Sequence, residues 1–420
     1  MAASTSTYLP LKEQPAIAFL DSLSANVRSR SGVRIGELLI RGERIPRMTA
    51  EFWTSRQRQA SSLHEISYRA CFKPQLPRFF VERLTVPDDV VYDPFMGRGT
   101  TVVEAALLGR SVIGNDINPL SIILTRPRLD MPELHEIEER LERIPFDPKA
   151  PTEIDLSMFY HKKTRAELIS LRKYLRRRAA SRREDRIDRW IRMVATNRLS
   201  GHSSGFFSVY TLPPNQATTP ENQRKINRKR RQHPEYRDVR RLILKKSRSL
   251  ARNLTEEQRQ NLAVGARSSR FLTTEAWRTR SIADNSIQLT ITSPPFLDTV
   301  NYAQDNWLRC WFNHIDQDSV AERLTVVRSV EAWSRAMGLT FRELHRITRP
   351  GGFVVFEVGE IRKRNLKLDE IVVPLGLQAG FRCLGILVNR QRFTKTSNIW
   401  GVRNNREGTN TNRIVLFQKS

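Results

Sequence analysis

Nine residues constrain this chain more than any others: Asp93-Pro-Phe-Met-Gly-Arg-Gly-Thr-Thr101. The apolar run Val90-Val-Tyr92 before them has strand character, and Val102–Leu108 after them reads as a helix. A strand, a glycine turn and a helix N-terminus in that order present free backbone N–H groups to the polar end of a ligand. Gly97 and Gly99 let the turn run tightly and let a ligand approach the backbone with no Cβ between them. A carboxylate at the strand end, Asp93, suits a ligand with positive charge better than one carrying only phosphates, and the lysine of a P-loop is missing. A nucleoside triphosphate site is therefore disfavoured.

Two further stretches belong with this one. Ser111-Val-Ile-Gly-Asn-Asp-Ile-Asn-Pro119 reads as the next strand, ending in Asp116. A carboxylate there, some twenty residues past the glycines, is placed to accept ribose hydroxyls, or else to cap the following helix. The second stretch, Thr292-Ser-Pro-Pro-Phe296, closes a strand that runs from Asp284. Two successive prolines stiffen a turn and remove competing N–H donors.

The first stretch resembles motif I of the S-adenosylmethionine-dependent amino-methyltransferases of DNA, Asp-Pro-Phe-x-Gly-x-Gly-Thr, and Ser293-Pro-Pro-Phe296 resembles their motif IV. The resemblance implies an α/β, Rossmann-like methyltransferase fold with a mostly parallel sheet. It implies S-adenosyl-L-methionine across Asp93, Pro94, Phe95, Gly97, Gly99, Thr100 and Asp116, with Glu275 near the adenine and Lys73, in Phe72-Lys-Pro74, near the methionine end. Ser293, Pro294, Pro295 and Phe296 would then hold a base taken out of the duplex. An exocyclic amine is a poor nucleophile because its lone pair is delocalised into the ring. The Ser293 hydroxyl and the carbonyl of the proline after it are acceptors able to hold that amine in line and to stabilise charge developing on it. The aromatic face of Phe296 offers a stack worth roughly 1–3 kcal/mol. Serine in this motif is typical of cytosine-N4 enzymes, and aspartate or asparagine of adenine-N6 enzymes. Carbon-5 methylation is disfavoured because none of Cys71, Cys310 and Cys383 follows a proline. The alternatives are an adenine-N6 enzyme, an RNA amino-methyltransferase, and a DNA-binding protein that has lost catalysis.

Charge supplies the partner. The formal net charge is +27, and residues 161–270 hold 30 Lys and Arg against 9 Asp and Glu, so +21 of it lies in one quarter of the chain. That concentration reads as a phosphate-contacting insert for double-stranded DNA, with Arg228, Arg230 and Arg231 on the backbone and Phe206, Phe207 and Asn215 toward bases. Apolar spacing predicts insert helices over Lys163–Ser181, Arg183–Arg198 and Glu235–Asn253, and a further one near Ala16–Val27. The expected organisation is an N-terminal extension (1–60), a methyltransferase core (61–130 and 271–420) and a basic, mainly helical insert (131–270). The three cysteines have neither disulfide nor zinc spacing, so no metal is expected. No apolar run reaches the roughly 18 residues of a membrane span, and the N-terminus lacks a signal pattern, so the expectation is a cytoplasmic protein. A cognate restriction endonuclease acting on the same sites is a further partner that this class allows.

Overall fold

The computed structural model describes residues 22, 33–52, 60–68, 72–212, 217–295, 305–323, 329–361, 366–390 and 411–420. Nine strands form one sheet: β1 (Arg34–Ile40), β2 (Glu43–Ala50), β3 (Val90–Asp93), β4 (Ser111–Asn115), β5 (Arg270–Leu272), β6 (Ile287–Thr292), β7 (Thr348–Val358), β8 (Phe381–Arg390) and β9 (Thr411–Lys419). The helices that position the site are α1 (Gln75–Leu84), α2 (Thr100–Leu107), α3 (Leu120–Thr125), α4 (Leu134–Arg143), α5 (Lys162–Ala180), α6 (Arg186–Arg198), α7 (Pro220–Arg230), α8 (Val239–Ala251), α9 (Glu256–Ser268), α10 (Trp307–Asn313), α11 (Gln317–Arg323), α12 (Val330–Ile347) and α13 (Asp369–Gln378).

The strand order is β1-β2-β8-β9-β7-β6-β3-β4-β5. From β7 to β5 every neighbour is parallel. β9 runs antiparallel to both β7 and β8, and the β1–β2 hairpin joins β8 through β2 in parallel. Residues within the expected N-terminal extension thus supply two strands of the main sheet. Its turn, Arg41-Gly42, has positive φ at both residues, as a tight hairpin requires.

Both faces of the sheet are covered, which is why the central strands read as apolar runs rather than alternating ones. Successive residues still part to opposite sides. Val91, Leu289, Ile291, Val355 and Leu416 pack with α1, α2 and the insert, while Tyr92, Val354, Phe356 and Phe417 pack with α12 and α13.

The insert leaves the core after β4 and returns at β5, so it lies between the second and third core strands. Its helices α5, α6 and α8 match the apolar spacing of the sequence to within a few residues, and α4, α7 and α9 are additional. The helix expected near Ala16–Val27 lies almost wholly outside the described residues. The insert also shares the core: Trp190, Ile191 and Val194 of α6 and Ile243 and Leu250 of α8 sit in one hydrophobic cluster with Val102 and Ala105 of α2.

Candidate active site

The chain steps outward from β3 to β4 and β5 on one side, then begins again on the other side with β6 and β7. The strand order therefore reverses between β3 and β6, and ligands of open α/β sheets bind at such a point, beyond the carboxyl ends of the strands. Both signature stretches end there. Asp93 closes β3 and Thr292 closes β6, and the Thr292 hydroxyl donates to Asp93 Oδ1 at 2.7 Å. Phe95 N donates to the same oxygen at 3.1 Å, and Thr101 Oγ1 donates to Ile291 O at 3.1 Å. Two stretches 199 positions apart are thus bonded directly.

Asp93 is 1% exposed. Burial pushes its carboxyl up to about 7 against the hydrogen bonds that favour ionisation, and nearby Asp116 pushes the same way. Among the described residues no cation pairs with it. Burial raises Asp116 as well, opposed by bonds from Gly97 N and Asn118 N, each 2.9 Å long. Asp116 thus ties the glycine turn to the end of β4 and also closes the turn that leads into α3. Gly97 and Gly99 have φ of +50° and +73°, the left-handed region. A Cβ on Gly99 would come within 2.3 Å of Thr125, whereas one on Gly97 would meet the Tyr68 ring at an ordinary 3.5 Å. No side chain caps the N-terminus of α2, which starts at Thr100.

Asn115 is a residue that the sequence reading missed. Its amide donates to Pro94 O (3.1 Å) and Thr274 O (2.9 Å), and its oxygen accepts from Thr274 N (3.1 Å). It stitches together the loops that follow β3 and β5, and so fixes the neighbour Glu275, which is partly exposed. Lys73 lies just before α1, half-buried; burial lowers its ammonium, opposed by Glu51.

On the β6 side, Ser293 is partly exposed and Pro294 is buried. The Pro295 carbonyl accepts from Trp333 Nε1 of α12 at 3.1 Å, which anchors the turn from below. Glu357, a carboxylate near the end of β7 that is 5% exposed, lies close enough to the Ser293 hydroxyl for it to favour the ionised form. Asn412 Nδ2 donates to Glu357 Oε1 at 2.7 Å, and burial raises Glu357 above the usual range against the opposing influence of Ser293 and Asn412. Glu357 is a second missed residue. Phe296 and Asn215 lie outside the described residues.

The aromatic pair of the insert is corrected. Phe206 and Phe207 are 5% and 1% exposed, packed inside the insert with the Arg198 guanidinium over the Phe206 ring, so neither presents a face to a base. Arg228, Arg230 and Arg231 are exposed, and the Arg230 guanidinium stacks on Tyr210 at 3.8 Å. Among the described residues no cluster of His, Cys, Asp and Glu is arranged to hold a metal ion, and no helix is long and apolar enough to cross a membrane.

Residues 28–123 match the family model described as DNA methylase. The type II methyltransferase M.MjaII of Methanocaldococcus jannaschii is 32% identical over 88 residues, 21% of this chain and 17% of that protein. M.MvaI of Kocuria varians is 31% identical over 97 residues, 22% of this chain and 20% of that protein. The chain thus spans a fifth or less of the length of these relatives. Among solved structures, TrmN from Thermus thermophilus aligns at 13% identity over 86% of this chain and 52% of that one, with a TM-score of 0.33.

Proposed function

We propose that this chain, which belongs through residues 28–123 to the DNA methylase family, transfers a methyl group from S-adenosyl-L-methionine to the exocyclic amino group of a flipped DNA base, cytosine N4. The residues fit that cofactor. Asp93 is a buried carboxylate with no countercharge among the described residues, and it stands beside a turn whose glycines adopt left-handed φ. Asp93, Pro94, Phe95, Gly97, Gly99, Thr100 and Asp116 would hold it, with Glu275 and Lys73 at its two ends. When bound it supplies an electrophilic methyl group on a cationic sulfur.

The chain's own residues do the rest. An ionised Glu357 can only accept, so a Ser293 hydroxyl turned toward it would donate its proton there and keep its oxygen lone pairs for an amino proton of the base. The Trp333 indole occupies the Pro295 carbonyl and fixes the turn, which leaves the Pro294 carbonyl as the second acceptor. Two fixed acceptors orient the amine and stabilise positive charge growing on nitrogen, with no covalent intermediate on the protein. Phe296 would stack on the flipped base. The basic insert would hold the duplex through phosphates, and a cognate endonuclease would cut the same sites when they are unmodified.

The observation that carries this reading is the Thr292–Asp93 hydrogen bond, which joins the glycine turn after β3 to the Ser-Pro-Pro turn at one switch point of the sheet. The test is to incubate unmethylated duplex DNA with the protein and S-adenosylmethionine, digest to nucleosides and identify the product by mass spectrometry. N4-methylcytosine is expected. N6-methyladenine alone would overturn the choice of base, and methylation of RNA but not DNA would overturn the substrate.

A further inference from the structure

We propose that α7 is the element that docks on duplex DNA. This rests on the reading above and names the part of the insert that serves it.

α7 is held in a different way from the helices around it. α5, α6 and α8 each bury an apolar side, for example Leu168, Leu171 and Leu175 on α5. α7 buries one residue, Gln223. Amides fix it instead. Gln223 Nε2 donates to Tyr210 O (3.0 Å) and Asn227 Oδ1 (2.7 Å), and Gln232 Nε2 donates to the same two atoms at 2.8 Å each. Asn227 Nδ2 completes the set with Met158 O at 2.8 Å. Directional bonds of this kind set the helix's orientation while contributing little apolar burial.

The opposite side is cationic. Arg228, Lys229 and Arg231 are exposed and, among the described residues, form no ion pair. Much of the charge deeper in the insert is neutralised: Arg140 and Arg178 pair with Asp185 and Asp188, Arg186 with Glu136 and Arg192 with Glu184. Like charges one turn apart destabilise a helix, so a run such as Arg224-Lys-Ile-Asn-Arg-Lys-Arg230 is suited to meeting a polyanion. A helix of 11 residues is about 16 Å long and fits a major groove about 12 Å wide.

The base of α7 is bonded to the segment that opens α10. Ala217 N donates to Asp305 O at 2.9 Å, and Trp307 Nε1 donates to Thr218 O at 3.1 Å, next to the N-cap Thr219. Trp307 opens α10, which the insert grips. Asn313 Nδ2 donates to Thr196 Oγ1, and Arg172 Nε donates to Trp311 O, both at 2.9 Å. The segment Asp305–Asn313 is therefore anchored to the insert beside α7.

The test uses the full chain and a labelled mixture of unmethylated duplexes. Two charge reversals of equal size are compared: R228E/K229E/R231E on α7, and K173E/R176E/R177E on the exposed side of α5. Each phosphate contact contributes about −0.9 to the slope of log K against log salt, so losing three flattens it by roughly 2.7 and weakens binding roughly 100-fold at 0.15 M salt. That loss is expected for α7, with less than about a threefold effect for α5. Calorimetry with S-adenosylhomocysteine should give unchanged affinity in both, which shows that they are folded. Equal losses from the two triples would overturn the assignment of α7 while leaving the DNA reading intact. A wild-type protein that neither binds nor methylates duplex DNA would overturn that reading itself.

Discussion

Asp93 keeps its proton up to about pH 7, where a solvated aspartate has long been ionised. Its folded value lies above the ordinary 3.8, so its contribution to stability is complete below that value and is lost as pH rises through 7. A cationic ligand reverses the preference. Affinity for S-adenosylmethionine should fall by up to about tenfold per pH unit below 7, with proton release on binding at pH 6 and none at 8.5. Calorimetry in buffers of different ionisation heat checks this, and Asp93→Asn should bind weakly with no pH dependence. Glu357 leads to a second expectation. Glu357→Gln can donate to Ser293 where the carboxylate only accepts, so turnover should drop about 10²–10³-fold with cofactor affinity preserved. Because burial raises this carboxyl, wild-type single-turnover rates should decline as pH falls through that raised value. Asp93 and Ser293 were legible in the sequence because each sits in a spaced motif. Glu357 was not: it is a lone acid inside the apolar run 353–358 of β7, and its role depends on β6 and β7 lying side by side.

At the scale of elements, the two glycines of the Asp93–Thr101 turn separate. Both pay the left-handed cost of roughly 1–2 kcal/mol when replaced by alanine. Only at Gly99 does the new Cβ also strike Thr125 of α3 at 2.3 Å. Gly99→Ala should destabilise by about 3 kcal/mol or more and Gly97→Ala by roughly 1, measured by urea unfolding. α5, α6 and α8 were readable because a helix that buries one side repeats its apolar residues every three or four positions. α7 lacks such a stripe; its inner contacts are made by Gln223 and Asn227, which look like surface residues in a sequence. The β1–β2 hairpin was missed for another reason. Most of β1 is exposed, so its residues carry little of the apolar bias that marks a strand.

For the whole molecule, the charge reading becomes a salt experiment. If the insert makes six to ten phosphate contacts, duplex affinity should fall by roughly 10³–10⁵ between 50 and 200 mM salt, as anisotropy titrations would show. The insert's position between β4 and β5 was visible from the order of the motifs, but its entanglement with the core was not. Ser62 Oγ of the core donates to Leu250 O of α8 at 2.6 Å, and Asn261 of α9 donates to Leu107 O of α2 at 3.1 Å. Gly265 of α9 lies so close to Ala106 that a Cβ would sit 3.1 Å away. An insert rooted in this way is not a cassette. Cutting it out would open the interior beneath α2, and grafting in a foreign one would need matching surfaces along several helices at once. A lineage with this architecture would change its target by substitutions on the outer helices rather than by trading modules with a relative.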